Sequence, residues 1–362
     1  MAPAISLLAK PRQRGVRPYQ RHGLIYFICG NPGLVNYYAV FLDCLRGMLD
    51  AEDEGSGGTA YDIYGRNLLG FSDDEHEPFS ASNEPWDLDG QIDGMYRDVA
   101  SKTVIPDEAG AEGQEGEAAR PYDFVVLMGH SVGAYISVEI FHRHMQDPSR
   151  APHLNLRHGF LLFPTLTHIA NSPKGRNVGL LMSIPGLENN AQHLAKFILN
   201  CIPYAFVLWI IRHVLGFTPQ TAEVTARWLK SQGGVWQAIH LGLSEMRTIC
   251  EEKWEEELWE TTAEDDDINS YNYYHGKGKI SANGESENGT ETPQQQIPKF
   301  FIFYGKNDHW VANYVRDAFI EKRKSEKGHT KIQVDEGDIP HAFCVKEREF
   351  CPSSCAFENK RC

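Results

Sequence analysis

Positive charge is in short supply in this sequence: across 362 residues, 35 Lys and Arg stand against 49 Asp and Glu, a net charge of −14. A protein that holds nucleic acid needs surplus cations to displace counterions from phosphates, so that class of partner is excluded at the outset. The deficit is local. Residues 251–267 carry ten acidic side chains and one Lys, which leaves the remainder close to neutral. The acidity belongs to one stretch and is not a field spread over a working surface.

Other features are missing as well. No apolar run reaches the roughly twenty residues that a membrane-crossing helix needs. Residues 1–21 hold a five-residue apolar run, Ile5–Ala9, too short for the core of a secretory signal, together with five basic residues and no acid. The eight Cys are accordingly expected to be reduced thiols of a cytosol-facing protein. A phosphate-binding Gly loop and a dinucleotide fingerprint are both absent, and Cys351 and Cys355 lack the second ligand pair of a metal site. The expectation is of no cofactor and no metal.

What is present suits a packed core, with 41% hydrophobic residues. Leu24–Cys29 (LIYFIC), Phe124–Met128 (FVVLM), Phe160–Phe163 and Phe300–Tyr304 (FFIFY) are short continuous apolar runs, the pattern of strands buried on both faces. Tyr61–Tyr64 and Lys331–Val334 are weaker strand candidates. Helical spacing marks Tyr37–Met48, Asp87–Ala100, Ala134–Met145 and Asn313–Lys324. Strands alternating with helices predict an α/β fold on a mostly parallel sheet. The core is assigned to residues 22–165 and 297–350, with a helical cap inserted at 166–259. Residues 1–21 read as a basic arm, 260–296 as an acidic linker of disordered composition, and 351–362 as a Cys-containing tail.

The chemistry concentrates at three strand ends. Gly129-His130-Ser131-Val132-Gly133 follows the strand FVVLM and opens a helix, which is the nucleophile elbow in its required strand–turn–helix setting. Small residues are needed at Gly129 and Gly133 because a Cβ there would meet the neighbouring strand or helix. A serine hydroxyl needs a base, and in this fold the acid and the His follow in that order. Asp308 ends the strand FFIFY in Gly305-Lys306-Asn307-Asp308-His309, and His341 lies 33 residues further on in Ile339-Pro340-His341. Asp335 and Asp338 are competing acids, close in sequence to the base; His309 is a weaker base, and His130 reads as a packing residue. Two backbone N–H groups must meet the developing oxyanion. Val132 supplies one. Because Pro32 has no N–H, the other comes from Asn31 or Gly33, with Asn31 favoured.

FICGNPGLVNYYAVFLDCL, GHSVGAYISVE, LLFPTLTHIANSPKGR, FYGKNDHWV and IPHAFC, in that order, resemble the lipid droplet-associated hydrolase family of α/β-hydrolases. The resemblance spans about Leu24–Val345 and is absent from the inserts near Glu108–Glu117 and Glu260–Gln296 and from the Cys-rich tail. It implies a serine hydrolase of lipid droplets and the endoplasmic reticulum, acting on a neutral lipid ester such as a sterol ester or triacylglycerol. The family's Ser, Asp and His fall on Ser131, Asp308 and His341. Two other readings stay open: a low-activity or non-enzymatic droplet scaffold, and a soluble esterase or thioesterase.

One apolar run points to lipid. Phe197–Ile211 is fifteen residues broken only by Asn200 and Pro203, with Lys196 before it and Arg212-His213 after. Too short to span, it suits a kinked segment dipping into a single leaflet of a droplet or reticulum surface. Phe197, Ile198, Leu199, Phe206, Val207, Leu208, Trp209, Ile210 and Ile211 are the expected lipid-facing residues; the alternative is a cap helix packed over the site.

Overall fold

The apolar runs assemble into one seven-stranded sheet. The computed structural model describes residues 2–11, 19–56, 58–105, 120–259, 299–324, 330–337 and 339–346. Its strands are β1 (Ala4–Leu7), β2 (Arg21–Ile28), β3 (Thr59–Arg66), β4 (Phe124–His130), β5 (Leu156–Leu162), β6 (Lys299–Tyr304) and β7 (Lys331–Val334). They lie in the order β1-β3-β2-β4-β5-β6-β7. Only β1 runs antiparallel, with Ala4 opposite Arg66, and every other pairing is parallel. The central strand β4 is buried at all seven positions, which is why it reads as an unbroken apolar run.

The basic arm thus contributes an edge strand. Four residues without strong alternation carry little signal of their own, and Ala4–Leu7 becomes a strand because β3 offers it a partner. Likewise β5 starts at Leu156, four residues before its apolar segment, since Leu156 and His158 pair with Val125 and Val126. It ends at Leu162, where Phe163 turns into the left-handed region at φ 46°.

Helices α1 (Ala39–Ser56), α2 (Leu88–Ala100), α3 (Val132–Gln146) and α10 (Asn313–Lys324) accompany the sheet. Between β5 and β6 come α4 (Pro173–Met182), α5 (Leu187–Cys201), α6 (Tyr204–His213), α7 (Pro219–Leu229), α8 (Gly234–Thr248) and the short α9 (Glu256–Trp259). Local chemistry starts several of these. Ser172 and Thr218 cap α4 and α7 by accepting hydrogen bonds from Gly175 and Thr221 N–H, and each is followed by a Pro at the first helical position.

The apolar run is two helices, not one. The pair Asn190–Cys201 and Tyr204–His213 is bent by 99° at Ile202-Pro203, and no single described helix is long and apolar enough to cross a membrane. Proline, with no N–H to donate, breaks the ladder there. The freed carbonyls of Leu199 and Ile202 both accept hydrogen bonds from Lys230 Nζ. Two residues expected to face lipid do not. Val207 and Ile211 are only 5% and 3% exposed, packed with Ala222 and Ala226 of α7 in a small core of the cap's own. A helix apolar all round must bury one side, and the two alanines let α6 approach closely. Leu199, Leu208 and Ile210 are half-buried. Phe197, Ile198, Phe206 and Trp209 remain exposed.

The acidic linker, the insert near Glu108–Glu117, Asp338 and the tail cysteines Cys351, Cys355 and Cys362 lie outside the described residues.

Candidate active site

Ser131 stands between β4 and α3 with φ 56° and ψ −123°, a conformation that an L-residue adopts at a cost of about 1–3 kcal/mol. The turn holds because its flanks are bare. A Cβ on Gly129 would fall 2.3 Å from the Gly133 carbonyl oxygen, and one on Gly133 would fall 2.2 Å from that of Ile28. The main chain is fixed too: Ser131 N–H donates to the Leu162 carbonyl at 3.0 Å. Its own N–H is therefore committed, and the next along, Val132 at the start of α3, is the one free of the strand ladder.

The side chain meets two groups from distant segments. Ser131 Oγ lies 2.9 Å from His341 Nε2, and His341 Nδ1 lies 2.6 Å from Asp308 Oδ2. Asp308 is 4% exposed, and its other oxygen accepts from Trp310 N–H at 2.8 Å. Buried Arg316 on α10 braces the Asp308 loop by donating to the Gly305 and Lys306 carbonyls at 2.8 and 2.9 Å. The competing acid Asp335 is occupied elsewhere. Its carboxylate accepts from Gly337 and Ile339 N–H at 3.1 and 3.0 Å, shaping the turn that delivers His341. His309 has no part in this line; its carbonyl accepts from Lys174 N–H at 3.0 Å.

His130 packs, as its place in the elbow suggests, and also joins two loops. Its Nε2 is 2.9 Å from the His341 carbonyl oxygen, which can only accept, so Nε2 carries the hydrogen. Nδ1 then accepts from Tyr38 Oη at 2.8 Å, and that oxygen accepts in turn from Gly30 N–H at 3.1 Å. Burial, reinforced by nearby His341, holds the His130 pKa well below the usual imidazole range and keeps the ring neutral. This chain ties the loop after β2 to the backbone of His341.

The line opens into a cleft of roughly 540 Å³ that includes Asn31, Ser131 and His341. Its walls are apolar and come mostly from the cap: Ile169, Val178, Met182, Phe217, Trp228, Ile239, Leu243 and Met246. Asn31 lines this cleft. Gly33, the alternative donor, does not line it, and its carbonyl accepts from Leu68 N–H at 2.9 Å. A Ser–His–Asp line beside an apolar cleft has the parts for acyl transfer: a hydroxyl bonded to an imidazole, a carboxylate that orients the imidazole and an apolar slot for a chain. Among the described residues no cluster of His, Cys, Asp or Glu has the grouping of a metal site.

Residues 21–344 match the family described as lipid-droplet associated hydrolase. The chain belongs to that family. It is 23% identical to the lipid droplet-associated hydrolase of Rattus norvegicus over 334 residues, covering 89% of this chain and 80% of the relative. To the one from Homo sapiens it is 26% identical over 324 residues, covering 88% and 79%. Among solved structures, a lipase-esterase related protein from Clostridium acetobutylicum matches with a TM-score of 0.42 at 11% identity, covering 95% of this chain and 94% of that one. As a member of the lipid-droplet associated hydrolase family, the protein is a hydrolase.

In this hydrolase one buried acid of the cleft escapes the motif search. Glu245 on α8 shares a helix face with the buried Gln237 and Leu241 and accepts from Asn31 Nδ2 at 3.0 Å. Burial pushes its carboxyl up to about 8. The sequence signal was available, since an acid interrupts an otherwise buried stripe at helical spacing; without a partner in view it passes for a surface residue.

Proposed function

We propose that this hydrolase cleaves acyl esters of neutral lipids, a sterol ester or triacylglycerol, with Ser131 as nucleophile. His341 Nε2 takes the hydroxyl proton as Oγ bonds to the carbonyl carbon. The ester C–O bond then breaks, His341 returns the proton to the leaving alcohol, and water repeats the cycle on the acyl-serine. Asp308 holds the imidazole in its tautomer and offsets its charge. The N–H groups of Asn31 and Val132 receive the oxyanion.

The observation that carries this reading is the pair of hydrogen bonds, 2.9 Å from Ser131 to His341 and 2.6 Å from His341 to Asp308, at the mouth of an apolar cleft. Among the described residues lining that cleft there is no Lys or Arg to meet a charged substrate, whereas an acyl chain matches its walls. The exposed apolar side chains of α4–α6, Phe197 and Trp209 foremost, support a seat on a droplet monolayer or the cytosolic leaflet of the endoplasmic reticulum, with Lys196 and Arg212 at its edge. Profiling the purified protein on a panel of esters tests the assignment. Long-chain neutral esters should be hydrolysed and Ser131→Ala should not hydrolyse them. Turnover no greater than in that variant, across the panel, overturns it.

A further inference from the structure

Asn31 is held by the cap. Both hydrogens of its Nδ2 go to α8, one to the Ala238 carbonyl at 3.0 Å and one to Glu245 Oε1 at 3.0 Å. Ala238 and Glu245 are seven residues apart, two turns along one helix face, and Gly242 between them faces the amide, where a Cβ would stand 3.5 Å from Asn31 Nδ2. Glu245 is 5% exposed, and the Asn31 amide is the hydrogen-bond partner found for its carboxyl among the described residues. Burial raises its pKa to about 8, so at neutral pH it is mostly the uncharged acid, and an uncharged acceptor places no anion beside a developing oxyanion.

The rest of this loop is fixed through other groups, with the Pro32 and Gly33 carbonyls accepting from Leu34 and Leu68 N–H at 2.9 Å each. Gly30 N–H is held by Tyr38, and Pro32 has no N–H to hold. The Asn31 peptide, between them, is oriented by its own side chain. From these contacts we infer that Glu245 is a positioning residue for the Asn31 main-chain N–H, so that the cap helix α8, and not the α/β core alone, sets the oxyanion site. The inference rests on the hydrolase mechanism proposed above. It makes cap placement and transition-state binding one structural unit: an α8 shifted from the cleft takes the Asn31 amide with it. A loss of this kind appears in kcat, because the oxyanion forms after substrate is bound.

Steady-state hydrolysis of a p-nitrophenyl ester by the full chain tests this with three variants. Glu245→Leu should lower kcat about tenfold or more and leave KM within about twofold, since an oxyanion donor is displaced but not deleted. Glu245→Gln, whose amide oxygen accepts the same bond, should restore kcat to within about twofold. Asn31→Ala keeps the main-chain N–H yet loses both side-chain bonds, so it should match Glu245→Leu; it decides the matter if Glu245→Leu does not fold. An unchanged kcat in Glu245→Leu or Asn31→Ala overturns the inference, as does a Gln variant as slow as the Leu variant. Full turnover by Ser131→Ala removes the mechanism underneath. Loss in Ser131→Ala with normal turnover in folded Glu245→Leu removes the role of Glu245 alone.

Discussion

All seven residues of β4 are buried, while on α4–α6 Leu180, Leu181, Phe197, Phe206 and Trp209 are each more than half exposed. Both regions are rich in apolar residues and treat them in opposite ways. In the sheet, helices on both faces close over the strands. In the cap, α6 buries one side against the alanines of α7 and turns the other outward, with Phe206 and Trp209 stacked at 6.0 Å. Scattered exposed apolar residues are ordinary; the set on these helices is what supports the apolar neighbour proposed above. The cleft lies at the border, taking Ser131 and His341 from the core, with Asp308 behind His341, and most of its walls from the cap.

That contrast can be broken at either side. The largest effect belongs to the core: Ser131→Ala should abolish labelling by a fluorophosphonate and lower ester turnover by about 10⁴-fold or more. Persistent labelling in that variant would remove Ser131 as nucleophile. Next comes a pair of adjacent residues in the cap. Val207→Asp places an unpaired carboxylate inside the small cap core and should cost about 3 kcal/mol or more, seen as a lower melting temperature. Phe206→Asp, one position earlier, should leave melting nearly unchanged. Its expected effect is on vesicle binding, weaker by about tenfold from the loss of one buried aromatic side chain, with turnover of a soluble short-chain ester preserved. Equal melting losses in the two variants would show that α6 has no outward face.

A further effect is in pH dependence. Glu245 has a carboxyl at about 8 in the folded protein against 4.5 as the ordinary value, so the folded state binds the extra proton. Its contribution to stability is complete below about 4.5 and is lost as pH rises through about 8. Melting temperature should fall more steeply for the native sequence than for Glu245→Gln between pH 5 and 9. Parallel curves would mean that Glu245 titrates as a solvated acid.

The elbow was legible because its geometry is local. Two glycines, a strand and a helix within a few residues set where Ser131 points; the clash at Gly129 is with Gly133 inside the motif, and only the one at Gly133, with Ile28 of β2, is remote. Asp308 and His341 were legible by order and by their place at strand ends. Glu245, Arg316 and Tyr38 were not. Glu245 and Tyr38 reach residues of the site region across the fold, Arg316 braces the Asp308 loop from the following helix, and no motif in the sequence names these partners. Val207 and Phe206 show the same limit within one helix: both are apolar, and only the position of Ala222 and Ala226 separates the buried one from the exposed one.

Apolar runs, their spacing and the strand–turn–helix motif by themselves determined an α/β sheet, the elbow that carries Ser131 and an apolar segment with Pro203 inside it, because strand burial, turn sterics and helix breaking are short-range effects. Tertiary structure alone decided that the break at Pro203 becomes a 99° bend secured by Lys230, that Ala4–Leu7 completes the sheet edge, and that α8 reaches across to hold Asn31. Those outcomes depend on which surfaces meet, and a hydrogen bond between residues 214 positions apart has no trace in either residue's neighbours along the chain.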